Sequence, residues 1–403
     1  MELTAKNLKK SIRNDIDDLE GTWAHLNAAI DERIKEIEAD KKAGISPIPI
    51  IEFDAIGNNS EIINIEKIKK AGCLIIKNVF PQNVAENWNT EVKYYLERND
   101  YLGQKVNAED NYFGSLKDSK PQVYGIYWSK PQIEARQHDN MFKVQNFLNG
   151  LWDDHGRFGK DKMLSYADRI RMREPQDTTF GLSPHLDSGS VERWLEPNYR
   201  KTYESILKGK WEDYKPFDLS SRLEVEFIHS PALCRAFRSF QGWTALTAQG
   251  KGDGTLQVIP FLKEATSYLM LRPFLDDVPY EDWCGSLAKK AFNVNKEWHE
   301  PLLKGLCSIP KLQPGDTVFW HPDLIHSVEQ KHDGDDYSNV MFIGTIPHCE
   351  KNKKYIELQK EHFLEGRSAP DWAAEDREVN YKNRATFDDL TKLGKKAMGF
   401  LEY

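Results

Sequence analysis

The stretch Leu312–Gln330, LQPGDTVFWHPDLIHSVEQ, decides how the rest of the chain is read. Pro314, Gly315 and Asp316 supply a turn, since proline presets φ and glycine and aspartate tolerate the backbone that follows. Thr317–Val318–Phe319–Trp320 then reads as a short strand, β-branched and aromatic throughout. His321 and His326 follow its far end. His326, after the apolar pair Leu324–Ile325, is the better placed of the two to act as a metal ligand, and it asks for partners elsewhere.

Those partners stand in Ser183–Trp194, SPHLDSGSVERW. In a strand, the period of two puts His185 and Asp187 on one face and Leu186 on the other. His185, Asp187 and His326 then compose H-x-D…H, the two-histidine, one-carboxylate set that binds non-haem iron(II) on one face and leaves positions open. Neutral imidazoles and a single carboxylate leave a ferrous ion partly uncompensated, able to take a chelating co-substrate and then dioxygen. The competing reading makes these residues strand caps and hydrogen-bonded histidines beside a solvated acid. His321 reads as a strand cap, and His138, His155, His229 and His348 show no partner spacing and read as structural.

Composition narrows the function classes. With 403 residues, 39% hydrophobic and 11% aromatic, the chain can bury a large core. A net charge of −8 argues against nucleic acid or an anionic membrane as the main partner, because both reward basic patches. The five cysteines (73, 234, 284, 307 and 349) are odd in number, far apart and without C-x-x-C. That disfavours a disulfide framework or a zinc knuckle and leads us to expect a reducing cytoplasm. The N-terminal MELTAKNLKKSIRNDIDDLE has no apolar signal region, and no run approaches the ~20 apolar residues of a span, so neither secretion by that route nor anchoring is expected.

Residues 14–43 read as one helix with Leu19, Trp23, Leu26, Ile30, Ile34 and Ile37 on a stripe, stopped by Gly44. This makes an N-terminal segment over 1–45, whose stripe would pack on the main body or on a second subunit in a homodimer. AGCLIIKNVFP reads as a buried strand and QNVAENWNTEVKYYLERN as a helix. From ADRIRMREP to NVMFIGTIP, short apolar runs between turns (WTALTA, GTLQVIP, TSYLMLRPF, DTVFW) suggest an antiparallel sandwich or barrel. The α+β reading is therefore one domain over 46–403, with a β core at about 164–348, a helical charged insertion at about 195–238 and a helical tail at 352–403.

The order and spacing of WTAL, GDGTLQVIP and GDTVFWHPDLIH resemble the phytanoyl-CoA dioxygenase pattern among the jelly-roll iron(II)/2-oxoglutarate dioxygenases. GCLIIKNVFP, YWSKPQIEAR, HLDSGSVERW, QGWTALTAQGKGDGTL, YLMLRPF and FLEGRSAPDW are similar to the YbiU-like branch, from about residue 45 onward. The resemblance implies a double-stranded β-helix (jelly-roll, cupin-like) core, Fe(II) and 2-oxoglutarate as cofactors, and dioxygen as co-substrate. The activity it implies is oxidation of an unactivated C–H bond, by hydroxylation, desaturation or cyclisation. A surplus of candidate arginines in the β core leads us to expect a small carboxylate or amino-acid-like substrate. One departure stands out. In the phytanoyl-type pattern an arginine on the strand after the distal histidine clamps the far carboxylate of 2-oxoglutarate, whereas DDYSNVMFIG offers only Tyr337, Ser338 and Asn339.

Another cation must replace it. Arg169, Arg171 and Arg173 alternate with Ile170 and Met172 and so share one strand face, and arginine's planar fork matches a carboxylate. Arg171 and Arg173 are the first candidates for the keto acid and Arg272, alternating with Tyr268 and Met270, the next, with Ser338 as a neutral donor. Arg169, Arg193, Gln241 and Trp243 are expected to meet the substrate. A solvated outer face of an edge strand would explain the arginine row equally well. The missing arginine also keeps open a metal-binding cupin-like protein that is no oxygenase: an isomerase, a sugar-binding module or a regulatory protein.

Overall fold

The computed structural model describes residues 5–58, 60–103, 122–178, 181–187, 189–226 and 234–403. Its architecture is mixed α/β with three sheets. The seven-stranded sheet runs in space Ile50–Glu52, Cys73–Lys77, Thr317–Trp320, Gln241–Ala245, Ser338–Phe342, Ile170–Arg173 and Val123–Tyr124. The five-stranded sheet runs Cys307–Ser308, Leu256–Val258, His326–Val328, His185–Leu186 and Phe292–Asn293. Ile346–Pro347 and Met163–Leu164 pair separately. Every pairing between these strands is antiparallel except that of Ile50–Glu52 with Cys73–Lys77.

Between residues 170 and 342 the chain shuttles between the two larger sheets. The strands at 170–173, 241–245, 317–320 and 338–342 belong to the seven-stranded sheet, and those at 185–186, 256–258, 292–293, 307–308 and 326–328 to the five-stranded one, where the chain stays through three successive strands from 256 to 308. The opening turn of the quoted stretch fixes one register. Gly315 has φ +94°, and a Cβ there would lie 2.2 Å from the Phe80 carbonyl oxygen, so only glycine fits. The Asp316 carboxylate accepts from the backbone N–H of Gln313 at 2.8 Å and of Asn78 at 2.9 Å. Thr317 is thereby set opposite Ile76 on one side and Thr244 on the other.

Two sequence expectations change. The helix expected over 14–43 is broken: Ala5–Asp15 and Leu19–Lys42 are separate helices, because Asp18 takes a left-handed φ of 41° and its side chain caps the second by accepting from Gly21 N. Second, TSYLMLRPF is not a strand. It lies in the helix Leu262–Leu271, followed by a tight turn Arg272–Phe274. A run that is apolar on every side carries no period, and here it is buried all round, as an interior helix is. This helix receives the N-terminal stripe: Leu26, Ile30, Ile34 and Ile37 share one apolar cluster with Ala265, Tyr268 and Leu269. Arg33 Nε adds a hydrogen bond of 2.9 Å to Glu264. Of the two partners the sequence allows for the stripe, the main body is the one it packs against here.

The strand at Cys73–Lys77 and the helix Gln82–Arg98 fall where the sequence puts them. The insertion holds the short helices Pro197–Thr202 and Glu204–Leu207. The tail is helical over Glu350–Glu365 and Lys392–Ala397 but turns irregularly between them. There the buried Glu378 accepts from Trp128 N at 3.0 Å and Tyr95 Oη at 2.7 Å, which fastens the tail to the body. Among the described residues no helix is long and apolar enough to cross a membrane. All five cysteines are free thiols.

Candidate metal centre

His185 and His326 face each other directly across two antiparallel strands of the five-stranded sheet. Their ring centroids are 4.3 Å apart. Asp187 comes just past the end of its strand, with Oδ1 3.7 Å from His185 Nε2 and Oδ2 3.7 Å from His326 Nε2. One ligand atom from each residue lies within 4.8 Å of the others. These separations exceed hydrogen bonds and suit three ligands turned toward one ion. Each imidazole is also keyed from behind: His185 Nδ1 lies 2.6 Å from the Ser183 carbonyl oxygen and His326 Nδ1 3.0 Å from that of Leu324. A carbonyl can only accept, so Nδ1 carries the proton and Nε2 presents its lone pair. Burial, reinforced by His185, pushes His326 down to about 4, which keeps it neutral as a ligand must be.

A buried charged cluster braces the segments that carry these ligands. Arg193 Nη2 donates to the Asp187 backbone oxygen at 2.9 Å, and its Nη1 meets Asp323 Oδ1 at 2.5 Å. Asp323 belongs to HPDLIH, three residues before His326. Its other oxygen accepts from Arg222 Nη2 at 2.8 Å. Burial alone would raise the Asp323 carboxyl, but Arg222 and Arg193 hold it well below the usual carboxylate range. His321 completes the brace as the strand cap the sequence suggests: its Nδ1 accepts from Asp323 N at 3.0 Å, its Nε2 lies 3.0 Å from the Pro216 oxygen, and its ring stacks on Trp152.

A cavity of about 90 Å³ opens on the triad and is lined from both larger sheets. Of the residues expected there, Arg169, Arg171, Gln241 and Trp243 line it. Arg171 and Arg173 are 4% and 0% exposed, so the arginine row is not a solvated edge. Arg171 stands opposite Val340, on the strand that follows His326, so its guanidinium arises from the strand next to the one where the family pattern has its arginine. Its Nη2 donates to the Gly254 oxygen, while its Nε has no partner among the described residues. Burial, with Arg173 adding to it, lowers Arg171 to about 9. Gly254, at φ +62°, brings its backbone against this pair; a Cβ would lie 2.6 Å from Arg173 Nη1. Gln241 accepts from Trp320 Nε1 at 2.9 Å, which fixes its amide, and its Nε2 is likewise without a partner.

Four expected residues do not line the cavity. Arg173 is spent on the protein: Nε meets Asp177 at 3.1 Å, Nη1 the Glu329 oxygen at 2.7 Å and Nη2 the Gln330 oxygen at 3.1 Å. Arg272 sits on a helix end and holds Asp277 through two hydrogen bonds of 2.8 and 2.7 Å. Arg193 reaches the centre only through the Asp187 backbone. Ser338 donates to Gln249 Oε1 at 2.8 Å. Sequence reasoning missed Asp168, Cys234, Arg238, Trp320 and Trp372, all in the cavity wall. Arg238 could have been flagged, standing three residues before the Gln241–Ala245 strand.

Other histidines are accounted for locally. His138 Nδ1 caps the helix Asp139–Asn149. His155, contrary to the reading that it lacks partners, lies between Asp153 and Asp218 at 3.6 and 3.1 Å in an exposed group. Both its nitrogens are taken up by carboxylates, as in a surface ion pair. His348 meets the ring of Tyr403 edge-on. His229 lies outside the described residues.

Known proteins share sequence and fold with nearly the whole chain. The uncharacterized protein YbiU of Escherichia coli (strain K12) is 39% identical over 401 residues, 98% of this chain and 95% of that protein. A crystal structure from Salmonella typhimurium LT2, named provisionally as an oxidoreductase, shares 38% identity at a TM-score of 0.92, covering 98% of this chain and 96% of that one. The structure of GlcNAc Inducible Gene 2 from Candida albicans shares 28% at a TM-score of 0.83, over 99% and 90% of the two chains. The Gig2-like family profile matches residues 1–400, and the chain belongs to that family.

Proposed function

We propose that this protein is a non-haem iron(II)- and 2-oxoglutarate-dependent oxygenase acting on a small molecule, built on a jelly-roll core. The observation that carries the reading is the convergence of His185 Nε2, His326 Nε2 and the Asp187 carboxylate, each ring locked by a backbone carbonyl, beside a cavity that contains Arg171. The repeated crossing of the chain between two antiparallel sheets from residue 170 to 342 supports the jelly-roll assignment. The donor set fits iron(II), which when bound would supply oxygen activation for oxidising a C–H bond.

The chain's own residues hold and exclude. Arg171 is the cation that would meet the far carboxylate of the keto acid, since its Nε is unspent and Arg173 is consumed. Gln241 offers an oriented N–H, and Trp243 and Trp320 form apolar wall that keeps water from the reacting centre. Asp323, through Arg193, keeps the Asp187 backbone in place.

The test is spectroscopic. Anaerobic protein given iron(II) and 2-oxoglutarate should develop a weak visible charge-transfer band, which bleaches slowly on admitting oxygen as succinate forms. Bound iron without any band would favour the cupin-like, non-oxygenase reading.

A further inference from the structure

Arg238 is the one guanidinium of the cavity wall for which nothing so far accounts. It is 9% exposed, and among the described residues no hydrogen bond or ion pair reaches it. Its neighbour is the ring of Tyr166, 5.6 Å from the guanidinium carbon. The nearby acids are already engaged. Asp168 takes the backbone N–H of Arg169 at 2.7 Å and lies 3.5 Å from its Nε. Asp371 accepts from Arg235 N at 2.9 Å and Tyr166 Oη at 3.2 Å. Asp187 is turned to the two histidines. A buried guanidinium with no acceptor is costly, and in a cavity wall that cost is recovered by a ligand carrying the acceptor.

We propose that Arg238 anchors a carboxylate of the primary substrate, leaving Arg171 to the keto acid. The inference rests on the oxygenase reading. Charge supports it: a ferrous ion, Asp187, a keto acid bearing two carboxylates and Arg171 sum to zero, Arg169 is offset by Asp168, and Asp371 is offset by Arg235 at 3.6 Å. Arg238 is what remains, so the substrate that neutralises it carries one negative charge. One guanidinium fork matches a single carboxylate bidentately, whereas a phosphate dianion would leave a charge uncompensated. Position agrees. Arg238 precedes the Gln241–Ala245 strand and is close enough to Asp187 to feel its charge, while Arg171 senses Asp177 and Glu329 instead. The walls beside it, Trp320, Trp372 and Phe342, suit an apolar or ring-bearing body behind that head group.

The experiment is calorimetric titration of anaerobic protein loaded with iron(II) and 2-oxoglutarate, using benzoate and hexanoate as probes and benzamide and hexanamide as uncharged controls. The expected result is at least tenfold tighter binding of one carboxylate than of its amide. In Arg238→Gln that preference should vanish, while iron and 2-oxoglutarate affinities stay within twofold. Arg238→Lys, which keeps charge and loses the fork, should retain part of it and serves if the glutamine variant does not fold. Equal binding of acid and amide, no binding of either, or a preference that survives Arg238→Gln would each overturn the proposal. So would a tenfold loss of 2-oxoglutarate affinity in Arg238→Gln with none in Arg171→Gln. Failure of the oxygenase reading shows separately, as absence of the charge-transfer band before any probe is added.

Discussion

Two groups of buried arginines lie on either side of Asp187, and they are closed differently. Behind its backbone, Arg193 and Arg222 converge on Asp323, so each guanidinium meets a carboxylate supplied by the chain. In front, along the cavity, Arg171 hydrogen-bonds a backbone oxygen of Gly254 and no carboxylate, and Arg238 makes no ion pair or hydrogen bond to an acid among the described residues. The residue type and burial are the same; only the source of the acceptor differs. Where the protein provides it, arginine is a structural clamp; where it does not, the acceptor would come from a ligand, as proposed for Arg171 and Arg238.

The largest effect that bears on this contrast falls on the centre both groups flank. His185→Ala, Asp187→Ala and His326→Ala should each abolish iron binding, measured as metal content after anaerobic reconstitution, with cooperative melting preserved because the core does not depend on the ion. Retention of iron by all three variants would remove the triad. Breaking the closed group should act on stability instead. Asp323→Ala leaves two buried guanidiniums without a carboxylate and should cost about 3–5 kcal/mol in denaturant unfolding.

The closed group should also respond to acid. Burial holds His321 down at about 3, below its ordinary 6.5. Its contribution is therefore fully present above pH 6.5 and is lost as pH falls toward 3, because the unfolded chain takes up the proton first. The loss should amount to as much as about 4 kcal/mol at the low end, and His321→Gln should flatten the slope across that window.

The open group is probed more gently. Arg171→Lys should raise the 2-oxoglutarate concentration needed for the charge-transfer band about tenfold with iron affinity nearly unchanged, as expected when a fork becomes a point charge. Arg173→Lys should leave that requirement alone and lower the melting temperature. The smallest effect belongs to the exposed group: His155→Ala should change neither iron content nor melting.

Legibility in the sequence followed the range of the interaction. His185, Asp187 and His326 were readable because strand alternation and the Pro314–Gly315–Asp316 turn are local. Arg169, Arg171 and Arg173 were readable as a row on one face, but the point where the cavity stops, between Arg171 and Arg173, depends on Gly254 and Glu329 arriving from other strands and loops. TSYLMLRPF failed for a different reason, since an unbroken apolar run fits a buried strand or a buried helix equally, and the N-terminal helix that selects between them lies over two hundred residues upstream. Arg238 carries no motif, and its significance lies in what fails to meet it.

The keying of His185 and His326 by carbonyls two residues earlier in their own segments has a bearing on metal supply. Three protein donors leave the remaining coordination positions of an ion undetermined, and nitrogen–oxygen sites favour nickel, copper and zinc over ferrous iron in intrinsic affinity. On the proposed function, protein purified in air should therefore carry whichever divalent metal its surroundings offered, so that its occupancy as isolated describes the medium, and redox-silent zinc should compete with iron for the three ligands.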